Sequence, residues 1–260
     1  HYVSRPPFTE AEAVRRAIYL AGQTDTPLYI AHMTCREAIA ELQKAKGTGQ
    51  RVSGETCTHY LTTTKEVLDN PDFNEAAKFV CSPALRDRED CEALWQALSD
   101  GLLTAVSSDH CGIDVAELKQ AGRNDFTQIP NGSPGAGDRL HMVWTEGVCT
   151  GKLTRQKFVD VIATQPAKIN GIYPRKGTLA VGSDADVVIF DPNYEGTVHL
   201  ADNPNGVDYN LYEGRRQSGR VETVLLRGQV VVENAKFVGR YGQGKFIPAN
   251  MYASGYENRK

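Results

Sequence analysis

The chain has 260 residues, 40% of them hydrophobic and 23% charged, with a formal net charge of −3. This is the composition of an ordinary folded protein, long enough for one large domain or one domain with an appendage. Slight acidity argues against a nucleic-acid or anionic-membrane partner, no apolar run approaches a membrane span, and no signal-peptide pattern opens the chain. The cysteines at 35, 57, 81, 91, 111 and 149 stand singly, without C-x-x-C spacing. They read as reduced, partly buried thiols of a cytoplasmic protein.

His1 to Pro7 is predicted to be a loop, because two prolines fit neither a helix interior nor a central strand. Thr9 and Glu12 form a capping-box pattern for a helix with Val14, Ala17, Ile18 and Ala21 on one face, which Asp25-Thr26-Pro27 breaks. Leu28 to His32 reads as a short buried strand with His32 last. Thr34 and Glu37 make a second capping box, opening a helix that runs to Gly47, and Arg51 to Glu55 is the next strand. Strand, helix and strand with short joins form a βαβ unit, so the sheet is expected to be parallel.

Phe79 to Pro83 reads as a short extended piece. Asp90 to Leu98 is helical with Leu94, Trp95 and Leu98 inward, and Gly101 stops it. The run Leu102 to Val106 leads a strand to Asp109. Residues 112–139 are polar and glycine-rich, the signature of a functional loop, and helices follow over 140–149, 154–163 and 166–170. From about Lys176 short strands and glycine turns take over: Gly177–Ala180, Ala185–Asp191 and Val221–Leu226, the last turned back by Gly228-Gln229 into Val230–Val232. The expected division is therefore 1–175, 176–240 as a β-layer, and a polar aromatic tail over 241–260.

Two strands end on chemistry. His32 and Asp109 together suit zinc or a similar divalent ion, and an Asp there can bind a metal or take a proton from a water. A structural histidine and a capping aspartate account for the same residues. His59, in a predicted loop, and His110, next to Asp109, are weaker candidates, while His141, His199 and the thiols of Cys57 and Cys111 read as ordinary. No phosphate-loop, dinucleotide or serine-hydrolase motif is present.

Several motifs then stand together: His1-Tyr2-Val3-Ser4-Arg5-Pro6, Ile30-Ala31-His32-Met33-Thr34, Gly54-Glu55-Thr56-Cys57, Cys81-Ser82-Pro83-Ala84-Leu85-Arg86, Ser108-Asp109-His110-Cys111, Arg123-Asn124-Asp125-Phe126-Thr127, Ile129-Pro130-Asn131-Gly132, Gln165-Pro166-Ala167-Lys168, Tyr173-Pro174-Arg175-Lys176-Gly177 and Val181-Gly182-Ser183-Asp184-Ala185-Asp186. In this order, over nearly the whole chain, the sequence resembles the C-terminal half of the dihydropyrimidinase and D-hydantoinase family of cyclic amidohydrolases. The resemblance implies an α/β fold: strands six to eight of a (β/α)8 barrel, followed by strands of a β-sandwich domain. It also implies two divalent metal ions, usually zinc, held by histidines, a carboxylated lysine and an aspartate. His32 matches the sixth-strand histidine and Asp109 the eighth-strand aspartate, with Asp109 as the catalytic proton carrier. Ser82 and Asn131 match positions whose backbone groups hold the amide ring of the substrate.

The chain lacks the family's H-x-H pair and its strand lysine, and it begins at His1 without methionine. It is accordingly expected to be a fragment, or one of two pieces, and inactive alone. Ser107 and Gly112 replace a common glycine and a common proline of the family. The implied protein is a cytoplasmic homotetramer acting on a small cyclic amide. Alternatives are a non-catalytic relative like the collapsin-response proteins, disfavoured by the retained His32 and Asp109, or a related enzyme such as an allantoinase.

Overall fold

Alternating apolar strands and amphipathic helices build the first half of the computed structural model, which describes residues 1–250. Helix α1 spans Pro7–Gln23, strand β1 Leu28–Ile30, helix α2 Arg36–Gly47 and strand β2 Val52–Cys57. The short helices α3, Thr58–Thr62, and α4, Phe73–Ala77, precede helix α5, Arg88–Ser99, and strand β3, Ala105–Ser107. The strands form a parallel sheet in the order β1-β2-β3, with Ile30 opposite Gly54 and Cys57 opposite Ser107. This is the arrangement that the βαβ pattern predicts.

The helices cover one face of the sheet. Val14 of α1, Leu42 of α2 and Leu94, Trp95 and Leu98 of α5 share a core with Met33, Leu103 and Val106. Gly54 is required in β2: a Cβ there would lie 2.5 Å from the Met33 sulfur and 3.1 Å from a Leu42 methyl. Trp95 is buried and its indole N–H donates to the Leu61 carbonyl at 3.0 Å, the usual arrangement for a buried indole.

Neither predicted capping box forms. Helix α1 begins at Pro7, whose fixed φ suits the first helical turn, and the Thr9 hydroxyl donates to the Pro6 carbonyl. Helix α2 begins after Cys35, and its Arg36 N–H donates to Asp90 of α5 at 3.0 Å. Thr34 turns to Glu10 instead: its backbone N–H donates to Oε1 at 2.8 Å and its hydroxyl to Oε2. Arg86 completes that network, donating to Thr34 Oγ1 at 2.9 Å, Glu10 Oε2 at 3.1 Å and the Arg5 carbonyl at 2.5 Å. Tertiary partners have replaced the local ones.

Beyond β3 a long loop with two short 3-10 turns leads to helix α6, Arg139–Val143, extended by a π-turn over Trp144–Val148. Helix α7, Arg155–Val159, runs through a second π-turn, Asp160–Thr164, into α8, Gln165–Ile169. The two predicted helices on either side of residue 165 are thus one continuous helical segment. Pro166, which has no N–H to give the turn before it, follows directly on the π-turn.

A second sheet is antiparallel, in the order β4 (Val187–Thr197), β5 (Arg216–Leu226), β6 (Gln229–Glu233) and β7 (Lys236–Phe237). The fold is therefore mixed α/β, one parallel and one antiparallel sheet. Gly177–Ala180 is not a strand: the Gly177 carbonyl accepts from Thr164, holding it to the helical segment. Phe79–Pro83 likewise joins no sheet. The hairpin turns on Arg227-Gly228 rather than Gly228-Gln229, with φ of 48° and 78° as a type I′ turn needs. One of the two register shifts in β4, between Asp191 and Glu195, spans Pro192, which cannot donate to a ladder. Phe190 of β4 packs on Trp144, ring centroids 4.8 Å apart. Of the expected tail over 241–260, residues 241–250 carry no helix or strand and 251–260 lie outside the described residues. No described helix is long and apolar enough to cross a membrane.

Glu10 and Arg86 keep only 9% and 5% of their side chains exposed. Replacing Arg86 by methionine would strand the Glu10 carboxylate in the interior. Urea melts of Arg86→Met should show a loss of about 3–5 kcal/mol, and a loss below about 1 kcal/mol would show that the network is dispensable.

Candidate functional site

Parallel register brings the C-terminal ends of the three strands to one edge, the edge on which sheets of this kind carry chemistry. His32 lies two residues beyond β1, His59 lies in α3 directly after β2, and Asp109 lies two residues beyond β3. His32 and Asp109 share an uncommon backbone: both are left-handed, with φ of 42° and 43°. Such a conformation costs a non-glycine residue on the order of 1–3 kcal/mol and concentrates at functional sites. Two strand ends carry the same strain.

Cys57 Sγ, a ring nitrogen of His59 and a carboxylate oxygen of Asp109 lie within 4.8 Å of one another. His59, predicted in a loop, is instead part of a helix and 3% exposed, and its Nε2 has no hydrogen-bond partner among the described residues. Burial, reinforced by the nearby His32 imidazole, pushes its pKa down to about 3. At neutral pH the ring is uncharged, the form in which histidine binds a metal. Burial raises the Cys57 thiol well above its usual range. Its sulfur sits 3.1 Å from Ser107 Oγ, which donates to Glu55 at 2.7 Å, and Glu55 also accepts from the Tyr29 hydroxyl at 2.5 Å. Cys57 is a protonated packing group, not a thiolate.

Ser82 and Asn131 also come together. The Ser82 hydroxyl donates to Asn131 Oδ1 at 3.0 Å, across 49 residues of sequence, and Asn131 Nδ2 donates to the Ile129 carbonyl at 3.1 Å. Ser82 and His32 line one groove, with Arg5, Glu10 and Pro83 among its walls. His110 is a loop fastener: Nδ1 accepts from the Gly135 and Ala136 N–H groups at 3.3 and 3.4 Å. His141 accepts from the Val221 N–H at 3.4 Å, and His199 pairs with Glu213 at 3.1 Å. All six cysteines are free.

A carboxylate and a neutral imidazole whose buried nitrogen has no partner among the described residues fit a divalent metal ion. The sequence signal for His59 was the Thr58-His59-Tyr60 run after a strand. What the sequence did not display was that β2 would end level with β3.

The sequence from 23 to 231 matches the model of the amidohydrolase family, and the chain belongs to that family. It is 48% identical over 252 residues to a D-hydantoinase of Ralstonia pickettii, covering 97% of this chain and 55% of that protein. It is 40% identical over 247 residues to a dihydropyrimidinase of Arabidopsis thaliana, covering 95% and 46%. The crystal structure of a dihydropyrimidinase from Brevibacillus agri superposes with a TM-score of 0.94 at 43% identity, over 99% of this chain and 55% of that one. The chain thus spans about half the length of the curated relatives it matches.

Because the His59 pKa is lower in the folded chain than the unfolded value, its neutral form stabilises the fold above about pH 6.5, and that contribution is lost as pH falls towards the folded value. Relative to His59→Gln, which cannot charge, the wild type should lose about 1.4 kcal/mol per pH unit below about pH 6.5. Parallel urea melts over that range check it, and superimposable pH profiles would count against a buried neutral imidazole.

Proposed function

We propose that this chain supplies part of the active site of a cyclic amidohydrolase, which opens dihydropyrimidines or 5-substituted hydantoins to N-carbamoyl amino acids. The observation that carries this reading is the matched pair of left-handed strand ends, His32 and Asp109, beside the buried neutral His59. Its parallel strands would be strands six to eight of a (β/α)8 barrel, residues 1–175, and its antiparallel sheet part of a β-sandwich, residues 176–240. His32 and Asp109 would hold divalent metal, zinc in the first instance and two ions in the complete site, with the remaining ligands, including a carboxylated lysine, outside this chain. When bound, such ions polarise a carbonyl and acidify water.

The chain's own residues then have distinct tasks. Asp109 accepts the proton of the attacking water and passes it to the ring nitrogen, which leaves as the C–N bond breaks. Backbone groups at Ser82 and Asn131 hold the amide ring near the geometry of attack. His59, uncharged and dry, adds no positive charge beside the metal-binding carboxylate. The free cysteines fit a cytoplasmic location, and the homotetramer proposed with it rests on family resemblance.

The test uses the polypeptide that carries this whole chain, loaded with zinc. Ring opening of dihydrouracil or a 5-substituted hydantoin should appear as loss of ring absorbance and formation of the N-carbamoyl acid. Full metal loading without opening of either ring class refutes the proposal. Asp109→Asn should lower kcat at least about a hundredfold while metal stays bound. Turnover within about tenfold of wild type would remove Asp109 from proton transfer.

A further inference from the structure

Lys119 lies in the long loop after Asp109, and its side chain is among the largest that are fully buried. Its ammonium donates to the carbonyls of Gly132 at 2.7 Å, Ala77 at 2.8 Å and Val80 at 3.3 Å. An ammonium has three N–H bonds, and all three are spent. Among the described residues no carboxylate contributes to its electrostatics: burial dominates, and the titratable groups facing it are Cys81, Cys111 and Tyr209, whose ring centroid is 6.0 Å away. A buried charge without a counter-ion is expensive unless its hydrogen bonds are complete. An apolar side chain would fill the same space without that cost. Only an ammonium gathers three carbonyls at one point.

Those carbonyls belong to two segments. Ala77 ends α4 and Val80 stands two residues before Ser82, while Gly132 follows Asn131. The same segments are joined by Gly132 N–H to the Val80 carbonyl at 3.0 Å and by Ser133 Oγ to the Lys78 carbonyl at 2.8 Å. Gly132 has φ of 138°, and a Cβ there would stand 2.5 Å from Cys111 Cβ, so a third segment presses on the junction from the Asp109 side. The Cys111 N–H donates to the Ser133 carbonyl at 3.0 Å.

We infer that Lys119 is a positioning residue: its buried ammonium clamps the segment carrying Ser82 to the segment carrying Asn131 and so sets the separation of the groups that hold the substrate ring. This rests on the function proposed above for Ser82 and Asn131. Burial also lowers the Lys119 pKa to about 8. Above that pH the neutral amine keeps two N–H bonds for three carbonyls, and the clamp loosens.

Two measurements decide the matter on the polypeptide carrying the whole chain. Lys119→Met keeps the length and removes every donor; with metal content unchanged, KM for the ring substrate should rise at least about tenfold. A role confined to folding would lower Tm but leave KM within about twofold, and that result overturns the clamp. The second measurement needs no variant and no substrate. In the wild type, amide-exchange protection of Gly132 should fall at least about tenfold from about pH 7 to about pH 9, while Leu98 in α5 holds its protection. Constant protection at Gly132 overturns the clamp even if Lys119→Met does not fold. A wild type that opens no ring would refute the proposed function, and exchange at Gly132 would still judge the clamp.

Discussion

The buried Arg86–Glu10 pair is the constraint on which the site edge depends. Its members come from distant stretches: Glu10 from α1, Arg86 from the segment after Ser82-Pro83, with Thr34 between them two residues beyond His32. Each partner is almost wholly buried, so each needs the other to offset its desolvation. Apolar residues of equal volume would serve stability as well or better. What they would not supply is direction. The guanidinium has one geometry for three acceptors, and satisfying it fixes α1, the turn after β1 and the Ser82 segment together. Asp90 does comparable work beside it, taking both the Arg36 backbone N–H and its Nε.

A second level of order rests on that frame. At the strand edge, burial keeps His59 dry and neutral and keeps Cys57 a thiol, the latter against the opposing pull of the Ser107 hydroxyl 3.1 Å away. Under the Ser82–Asn131 pair, the Lys119 ammonium replaces a framework of strands by three hydrogen bonds. Site residues carried on loops thereby gain a rigidity that loops ordinarily lack.

Much of this was legible in the sequence where the cause is local. Apolar strands flanking a 12-residue helix announce a parallel sheet, and the stripe of Leu94, Trp95 and Leu98 in α5 is buried as its spacing requires. His32 and Asp109 were legible as residues at the ends of two strands. Both strands stop two residues earlier, at Ile30 and Ser107, because the left-handed backbone at 32 and 109 cannot continue a ladder. The failures share one physical reason, partners distant in sequence. Thr34 is a good cap by type, but Glu10 outbids the helix for its hydroxyl. Gly177–Ala180 alternates like a strand, yet no neighbouring strand pairs with it, and Thr164 takes its first carbonyl. Lys119 looks like any loop lysine until Ala77 and Gly132 arrive on either side of it. Thr58-His59-Tyr60 reads as loop after a strand, whereas it forms α3 and buries the His59 ring, a burial set by tertiary packing.

The left-handed backbone at positions 32 and 109 also limits how this edge can evolve or be engineered. At most sites a side chain is selected by what it touches. Here it is filtered first by what its own main chain permits: β-branched and bulky residues are poorly tolerated at such φ, whereas glycine, asparagine, aspartate and histidine are accepted. The alphabet at 109 is therefore weighted towards glycine, asparagine, aspartate and histidine, and glutamate, which keeps the carboxylate, carries a backbone cost unrelated to charge. Random libraries at these two positions will be thinned by conformation before any chemistry is sampled.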